Sequence, residues 1–319
     1  MNKLSWRQSE IALSNSPKIC FGMVLYNSDK YLPAALNSIL KQTYGDFQIV
    51  AADDCSTDNT EEIMRHYASI DRRITYIKNE KRLGMIMNKR KVFYEAARRG
   101  ADYFAWAADH DLWHTEWLQA HVNVLNEYPE VVMAYPLTIA IGPGDERLPI
   151  NPSRFETVGM SKMERVRTAC TKMVGAGNMI YGLFRASALR KCGVFPRCSM
   201  PDRLLLLEMS VYGTFKQIER ELWSRRYLKQ QSDFMRVIER QRLTLFPSCE
   251  VPWYSQFPIL GQALGLIYHL SLRPPSGSYA NAHLGPYMAY LHMLRRKLPL
   301  REELRVFVGR LKERKRTRP

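Results

Sequence analysis

From residue 18 to about residue 135, apolar runs of β character alternate with amphipathic segments of helical spacing, and no other feature limits the fold as much. Residues 19–26, 47–52, 74–77, 103–107 and 131–135 read as strands. Between them, 31–41 places Leu32, Ala35, Leu36, Ile39 and Leu40 on one helix face, and the next helix carries Ile63, Met64, Tyr67 and Ile70, with Asp58 or Thr57 set to cap it. Residues 85–99 and 117–127 are further helices. Alternation at this pace predicts a mainly parallel, doubly wound sheet flanked by helices. Two acidic clusters follow strands: Asp53-Asp54-Cys55-Ser56-Thr57-Asp58 after 47–52, and Asp109-His110-Asp111 after 103–107. Carboxylates at the carboxyl ends of parallel strands face the crevice where open α/β sheets bind ligands.

The pattern changes after a Gly- and Pro-containing loop at 141–152. Residues 161–173 read as helix and 179–184 as extended, while 202–212 forms a helix with Asp202 at its amino end and Gly213 just past its last turn. Residues 215–218 and 222–227 read as a hairpin or a pair of edge strands, and beyond 232 the chain is mainly helical. The stretch 257–272 is apolar but short of the roughly 20 residues that a spanning helix needs, and it contains Gln262 and His269. The first eighteen residues have no apolar core of a secretory signal, so the expected location is the cytoplasm. Six cysteines without paired spacing point to free thiols.

Net charge is +16, and half of it comes from residues 295–319, where eleven Lys or Arg stand against three Glu. Such a block suits an anionic membrane surface, such as the inner face of a membrane, where each basic residue contributes on the order of 1 kcal/mol, or a nucleic-acid backbone. Nucleic acid is not an expected partner, because the surplus sits in a terminal segment and no zinc-finger, helix-turn-helix or RNP-like signature is present.

Several ordered segments carry a resemblance. They are 23–27 (Met-Val-Leu-Tyr-Asn), 35–43 (Ala-Leu-Asn-Ser-Ile-Leu-Lys-Gln-Thr), 53–58, Asp109-His110-Asp111-Leu112-Trp113, and Gly193-Val194-Phe195 followed by Asp202. Over residues 18–232 the chain resembles the inverting family 2 glycosyltransferases of the GT-A fold. The resemblance implies an N-terminal arm at 1–17, a GT-A domain at 18–232 with a nucleotide half at about 18–140 and an acceptor half at about 141–232, and a helical, basic C-terminal region at 233–319. It also implies transfer of a sugar from a nucleoside diphosphate sugar, most commonly a UDP- or GDP-sugar, to a hydroxyl acceptor such as a glycolipid, a lipid-linked saccharide or a polysaccharide.

By the same resemblance, Asp53 accepts from the base, Tyr26 stacks on it, and Asp54 serves the ribose or holds the loop. Lys81, Arg82, Lys89 and Arg90 lie in the segment that meets donor phosphates and sugar, with Arg82, Lys89 and Arg90 the residues taken as donor contacts. Asp109 and Asp111 resemble the Asp-x-Asp pair that binds a divalent cation at the diphosphate. Hard oxygen donors suit Mn²⁺ or Mg²⁺. His110 stands where many members carry a further Asp, and a His ligand would suit Mn²⁺ better. Asp202 matches the catalytic base without the Glu that usually precedes it; Arg225 and Arg226 match an Arg pair that precedes a His in relatives, a His this chain lacks. Two other classes compete: a catalytically silent nucleotide-binding scaffold of the same fold, and a basic nucleic-acid binder.

Overall fold

Strand β1 (Ile19–Leu25) is apolar at almost every position because both of its faces are covered, the usual state of a strand inside a parallel sheet. It pairs in parallel with β2 (Phe47–Asp53) on one side and β4 (Tyr103–Ala107) on the other, and β3 (Ile74–Lys78) continues in parallel beyond β2. The computed structural model describes residues 18–228 except Gly193 and Ser199, together with Gly261, Ala263 and Leu264. Within these, one mixed sheet of eight strands runs β3-β2-β1-β4-β7-β6-β8-β5.

Helices cover both faces. On one side lie α1 (Leu32–Leu40), α2 (Thr60–Ile70) and α4 (Trp117–Glu127), which bury Leu32, Leu36, Ile39, Met64, Trp117 and Leu118 in one apolar cluster on that face of the sheet. Each such side chain stabilises by about 1.5–3 kcal/mol. On the other side α3 (Met85–Arg98) lays Val92, Phe93 and Ala96 on the sheet beside Phe104 and Trp106. Gly22 permits that close approach, since a Cβ there would stand 2.5 Å from Phe104 and 2.7 Å from Val92.

The second half departs from the sequence expectation in three places. Strand β6 (Val131–Ile141) extends to eleven residues, and the expected hairpin at 215–227 is instead one continuous strand, β8 (Thr214–Arg226), running parallel to β6. The charged triplet Glu219-Arg220-Glu221 reads as a turn, yet it lies exposed at a register shift in the strand. Arg147 and Arg154 pair with Glu221 and Glu219, and Glu116 with Arg220. The two-residue β5 (Leu112–Trp113) is antiparallel to β8. Third, the expected extended segment 179–184 begins at the end of a short helix, α6 (Ala176–Met179), entered through left-handed Gly175. Its strand portion is β7 (Leu183–Arg185), antiparallel to both β4 and β6.

Helix α5 (Lys162–Lys172) starts at Ser161 with a reciprocal bond to Glu164, and α7 (Ala186–Lys191) follows β7. Helix α8 (Pro201–Tyr212) ends at Gly213 as expected and packs chiefly against α5. Cys20, Cys55, Cys170, Cys192 and Cys198 carry free thiols. No helix among the described residues is long and apolar enough to cross a membrane. The arm at 1–17, the stretch 257–272 apart from three positions, and the basic block 295–319 lie outside the described residues.

Candidate functional site

At the carboxyl ends of β1, β2 and β4 a pocket of about 180 Å³ opens, lined by Leu25, Tyr26, Asp54, Arg82, Asn88, Lys89, Ala108, Asp109, His110 and Tyr181, among others. Parallel strands and the loops that follow them put these side chains together, as in other open α/β sheets. The neighbouring acidic residues of the first cluster take different positions. Asp53, the last residue of β2, is fully buried below the pocket; its carboxylate accepts from the Ser56 N–H at 2.8 Å, the Ser56 hydroxyl at 2.6 Å and the Tyr76 hydroxyl at 2.7 Å. It braces the loop and is not among the residues that line the pocket.

Asp54 does line the pocket. It accepts from Asn79 Nδ2 at 3.0 Å, the Leu83 N–H at 2.6 Å and the Gly84 N–H at 2.8 Å. These bonds fix the turn that carries Arg82 into α3, and a carboxylate with about four acceptor positions keeps one for a ligand. Asn79 also donates to Asn88, which donates to the Ala52 carbonyl, so a buried polar chain joins β2, α3 and the pocket wall. The Arg82 guanidinium lies over the Tyr26 ring at 3.6 Å, and both are well exposed. A planar group stacking on this face of Tyr26 displaces Arg82; on the opposite face it completes a sandwich. Asp58 caps α2 from one residue ahead of its N-cap, Asn59. Its carboxylate accepts from the N–H of Thr60, the first residue of the helix, and from that of Asp29.

The second cluster forms a turn between β4 and β5. The Ser28 hydroxyl donates to Asp109 Oδ2, and the Ser28 N–H donates to the Thr60 hydroxyl, so the two acidic loops are linked through Ser28. His110 sits between the carboxylates: Nδ1 bonds Asp109 Oδ1, and Nε2 stands 3.8 Å from Asp111 Oδ1. Burial works against a charged ring, but the bond to Asp109 and the charges of Asp109 and Asp111 outweigh it, and the His110 pKa lies above the usual imidazole value. Asp111 is almost wholly buried and accepts from the Arg226 N–H at 2.8 Å. Burial pushes its carboxyl up to about 6, against the pull of His110, the Arg226 N–H and Arg225.

Lys89, on α3, is buried with its ammonium 4.5 Å from the Phe195 ring centre and 5.0 Å from that of Tyr181. Desolvation lowers its pKa to about 8, with Asp202 and Asp111 opposing and Arg225 assisting. Asp202, in the first turn of α8, therefore lies within electrostatic reach of the pocket without lining it. Gly177 of α6 separates it from Arg225: a Cβ there would be 3.4 Å from both Asp202 Oδ2 and Arg225 Nη1. Arg225 is bonded to the Asn178 side chain. Arg90, although next to Lys89, is half-buried away from the pocket, and Trp106 and Trp113 are core residues. The sequence pattern did not single out Ser28, Asn79 or Asn88, which are small polar residues whose role is visible only through long-range bonds.

Among the described residues no group of three or more His, Cys, Asp and Glu side chains is arranged to hold a metal ion. A Mg²⁺ or Mn²⁺ that is shared with substrate phosphates needs only one or two carboxylates from the protein. Asp109, part-exposed at the pocket, and Asp111, whose burial leaves its negative charge under-compensated, fit such an ion.

The order of the sheet and the acidic turns at its strand ends define an α/β glycosyltransferase fold of the GT-A kind. The same architecture occurs in S. aureus TarS solved with UDP-GlcNAc, at a TM-score of 0.52 and 18% identity over 86% of this chain and 79% of that one. It occurs also in the mannosyltransferase PcManGT of Pyrobaculum calidifontis, solved with GDP-Man and Mn²⁺, at 0.51 and 14% over 93% and 81%. The family model for glycosyl transferase family 2 matches residues 20–190, and the chain belongs to that family. In sequence it is similar to TuaG of Bacillus subtilis, a protein named for teichuronic acid biosynthesis, at 29% identity over 32% of this chain and 39% of the relative. GlyA of Streptococcus pneumoniae is 41% identical over 20% of this chain and 9% of its own length. The matched region thus spans well under half of these relatives.

Proposed function

We propose that the protein is a metal-dependent, inverting transferase that moves a hexosyl unit from a nucleoside diphosphate sugar to a hydroxyl acceptor. The observation that carries this reading is the pocket at the strand ends, which gathers Tyr26, Asp54, Arg82, Lys89 and Asp109 and has Asp202 behind it. The base stacks on Tyr26, its edge or the ribose meets the remaining acceptor position of Asp54, and Arg82 turns from the ring to the phosphates. Asp53 and Arg90 act from outside the pocket, through the loop and through the field. Asp109 and Asp111, with His110 beside them, would hold Mn²⁺ or Mg²⁺, and the ion would supply neutralising charge to the departing diphosphate.

Asp202 is the base. It stands in the first turn of α8, where the unpaired N–H groups carry partial positive charge. It accepts the acceptor's hydroxyl proton while the acceptor oxygen bonds to the anomeric carbon from the face opposite the diphosphate. The bond from that carbon to the phosphate oxygen breaks, its electron pair leaves with the nucleoside diphosphate, and the configuration inverts. Lys89 and Arg225 offset the charge that collects on the leaving side.

The donors seen in the two structural relatives support UDP- or GDP-sugars here. The name of the Bacillus relative and the basic block at 295–319 support a cell-envelope acceptor, a lipid-linked saccharide, glycolipid or polysaccharide, used at the cytoplasmic face of a membrane to which the C-terminal region attaches peripherally. In this reading 18–140 serves the donor and 141–232 the acceptor. Thermal unfolding in the presence of UDP or GDP tests the site: at roughly a hundredfold excess over Kd a specific ligand adds about 2.7 kcal/mol. Stabilisation that requires Mn²⁺ or Mg²⁺ is expected, and no response to any nucleoside diphosphate would overturn the reading.

A further inference from the structure

We infer that Arg226 is a positioning residue that sets the 109–111 turn for its metal and diphosphate; the inference rests on the assignment of that turn to the metal. Arg226 is 4% exposed, and a guanidinium cannot shed its charge, so its burial requires that its donors be matched. They are matched by separate segments of the chain. Its backbone N–H donates to Asp111 Oδ1 at 2.8 Å and its Nε to the His110 carbonyl at 2.8 Å, which grips the turn at two adjacent residues. One terminal nitrogen donates to the Gly142 carbonyl at 3.0 Å, and the other pairs with Asp145 at 2.5 Å. The Tyr31 ring lies 4.5 Å from the guanidinium carbon, and the Tyr31 hydroxyl donates to the Pro143 carbonyl, so the β1–α1 loop closes the same clasp.

Here the side chain holds the His110 carbonyl while the backbone N–H holds the Asp111 carboxylate, and together they set the turn that carries Asp109. The planar fork does this in a way that an ammonium does not reproduce. Loss of an outer contact to a metal ligand typically costs about 10–100-fold in metal affinity.

The test is a Mn²⁺ titration of the thermal shift produced by UDP or GDP, on the full chain, for wild type, Arg226→Lys, Tyr31→Leu and Asp145→Asn, with KM and kcat for the donor alongside. Arg226→Lys keeps the backbone bond to Asp111 and loses the fork on the His110 carbonyl, so it is expected to raise the Mn²⁺ midpoint by about 10-fold, the lower end of such effects, while circular dichroism stays unchanged and donor KM moves less than the midpoint. Tyr31→Leu should move the midpoint in the same direction by less, which keeps the inference testable if Arg226→Lys does not fold. Asp145, 62% exposed, anchors only the outer leg of the buried Arg226, and an Asn side-chain oxygen can still accept from that leg, so Asp145→Asn should leave the midpoint within about twofold. A wild-type midpoint in both Arg226→Lys and Tyr31→Leu overturns the inference, even if their melting temperatures fall. A wild type with no Mn²⁺-dependent shift overturns the assignment of the turn itself, a different result.

Discussion

Lys89 holds a positive charge in a place that penalises it, and the size of the penalty can be worked out. Its pKa falls from the ordinary lysine value of 10.5 to about 8 in the fold, chiefly through burial, although the Tyr181 and Phe195 rings and Asp202 partly compensate. A difference of that size corresponds to about 3 kcal/mol against the folded state at pH 7. The sign follows from proton uptake: between about pH 8 and 10.5 the unfolded chain holds more protons than the folded one, so stability rises with pH across that window. Lys89→Met keeps an unbranched side chain one heavy atom shorter and removes the charge. It is expected to raise stability at pH 7 by up to about 3 kcal/mol, or roughly 6–12 °C for a domain of this size, and the advantage should shrink below about 1 kcal/mol by about pH 10. The same change should weaken donor binding, since a cation retained against its folding cost is one that a ligand needs. Denaturant melts of both proteins at neutral and alkaline pH measure this. A variant less stable at neutral pH, or an advantage that does not depend on pH, would refute the reasoning.

Asp202→Asn should reduce kcat by at least about 10²-fold while the Kd for UDP or GDP, read by calorimetry, stays within about twofold; unchanged turnover removes Asp202 from the role of base. Asp53→Ala leaves the Tyr76 hydroxyl and the Ser56 groups unpaired, so a loss of about 2–3 kcal/mol is expected, whereas Asp54→Ala should act mainly on donor KM. Urea melts and donor kinetics on the pair would show the reverse ranking if Asp53 were the ligand contact. Removal of 295–319 should abolish co-sedimentation with vesicles rich in anionic lipid, and undiminished binding would exclude that segment as the anchor.

The parallel half of the sheet was legible in the sequence because strands covered on both faces, such as Ile19–Leu25 and Tyr103–Ala107, must be apolar throughout, and because α1 and α2 show their buried faces as clear periodicity. The amino end of α8 was legible for a related reason: Pro201-Asp202 and Gly213 are local signals at its two ends. Strand β8 was not, since Glu219-Arg220-Glu221 looks like a turn until partners distant in sequence satisfy it. Asp53 and Asp54 could not be told apart either. They are adjacent, and the pleat at the end of β2 decides which one reaches the pocket and which one braces Ser56 and Tyr76. The neutral polar chain of Asn79 and Asn88, and the clasp made by Arg226, are contacts between segments far apart in the chain, with no local pattern to announce them.

Transfer from an α-linked UDP- or GDP-sugar to a hydroxyl acceptor, followed by proton NMR of the first-formed product with and without chelator, examines the metal, the base and the stereochemistry together. The expected product is the β-anomer, formed with Mn²⁺ or Mg²⁺, lost with EDTA, and not formed by Asp202→Asn. An α-linked product, or turnover indifferent to chelation, would contradict Asp202 as the base and Asp109 with Asp111 as the metal ligands.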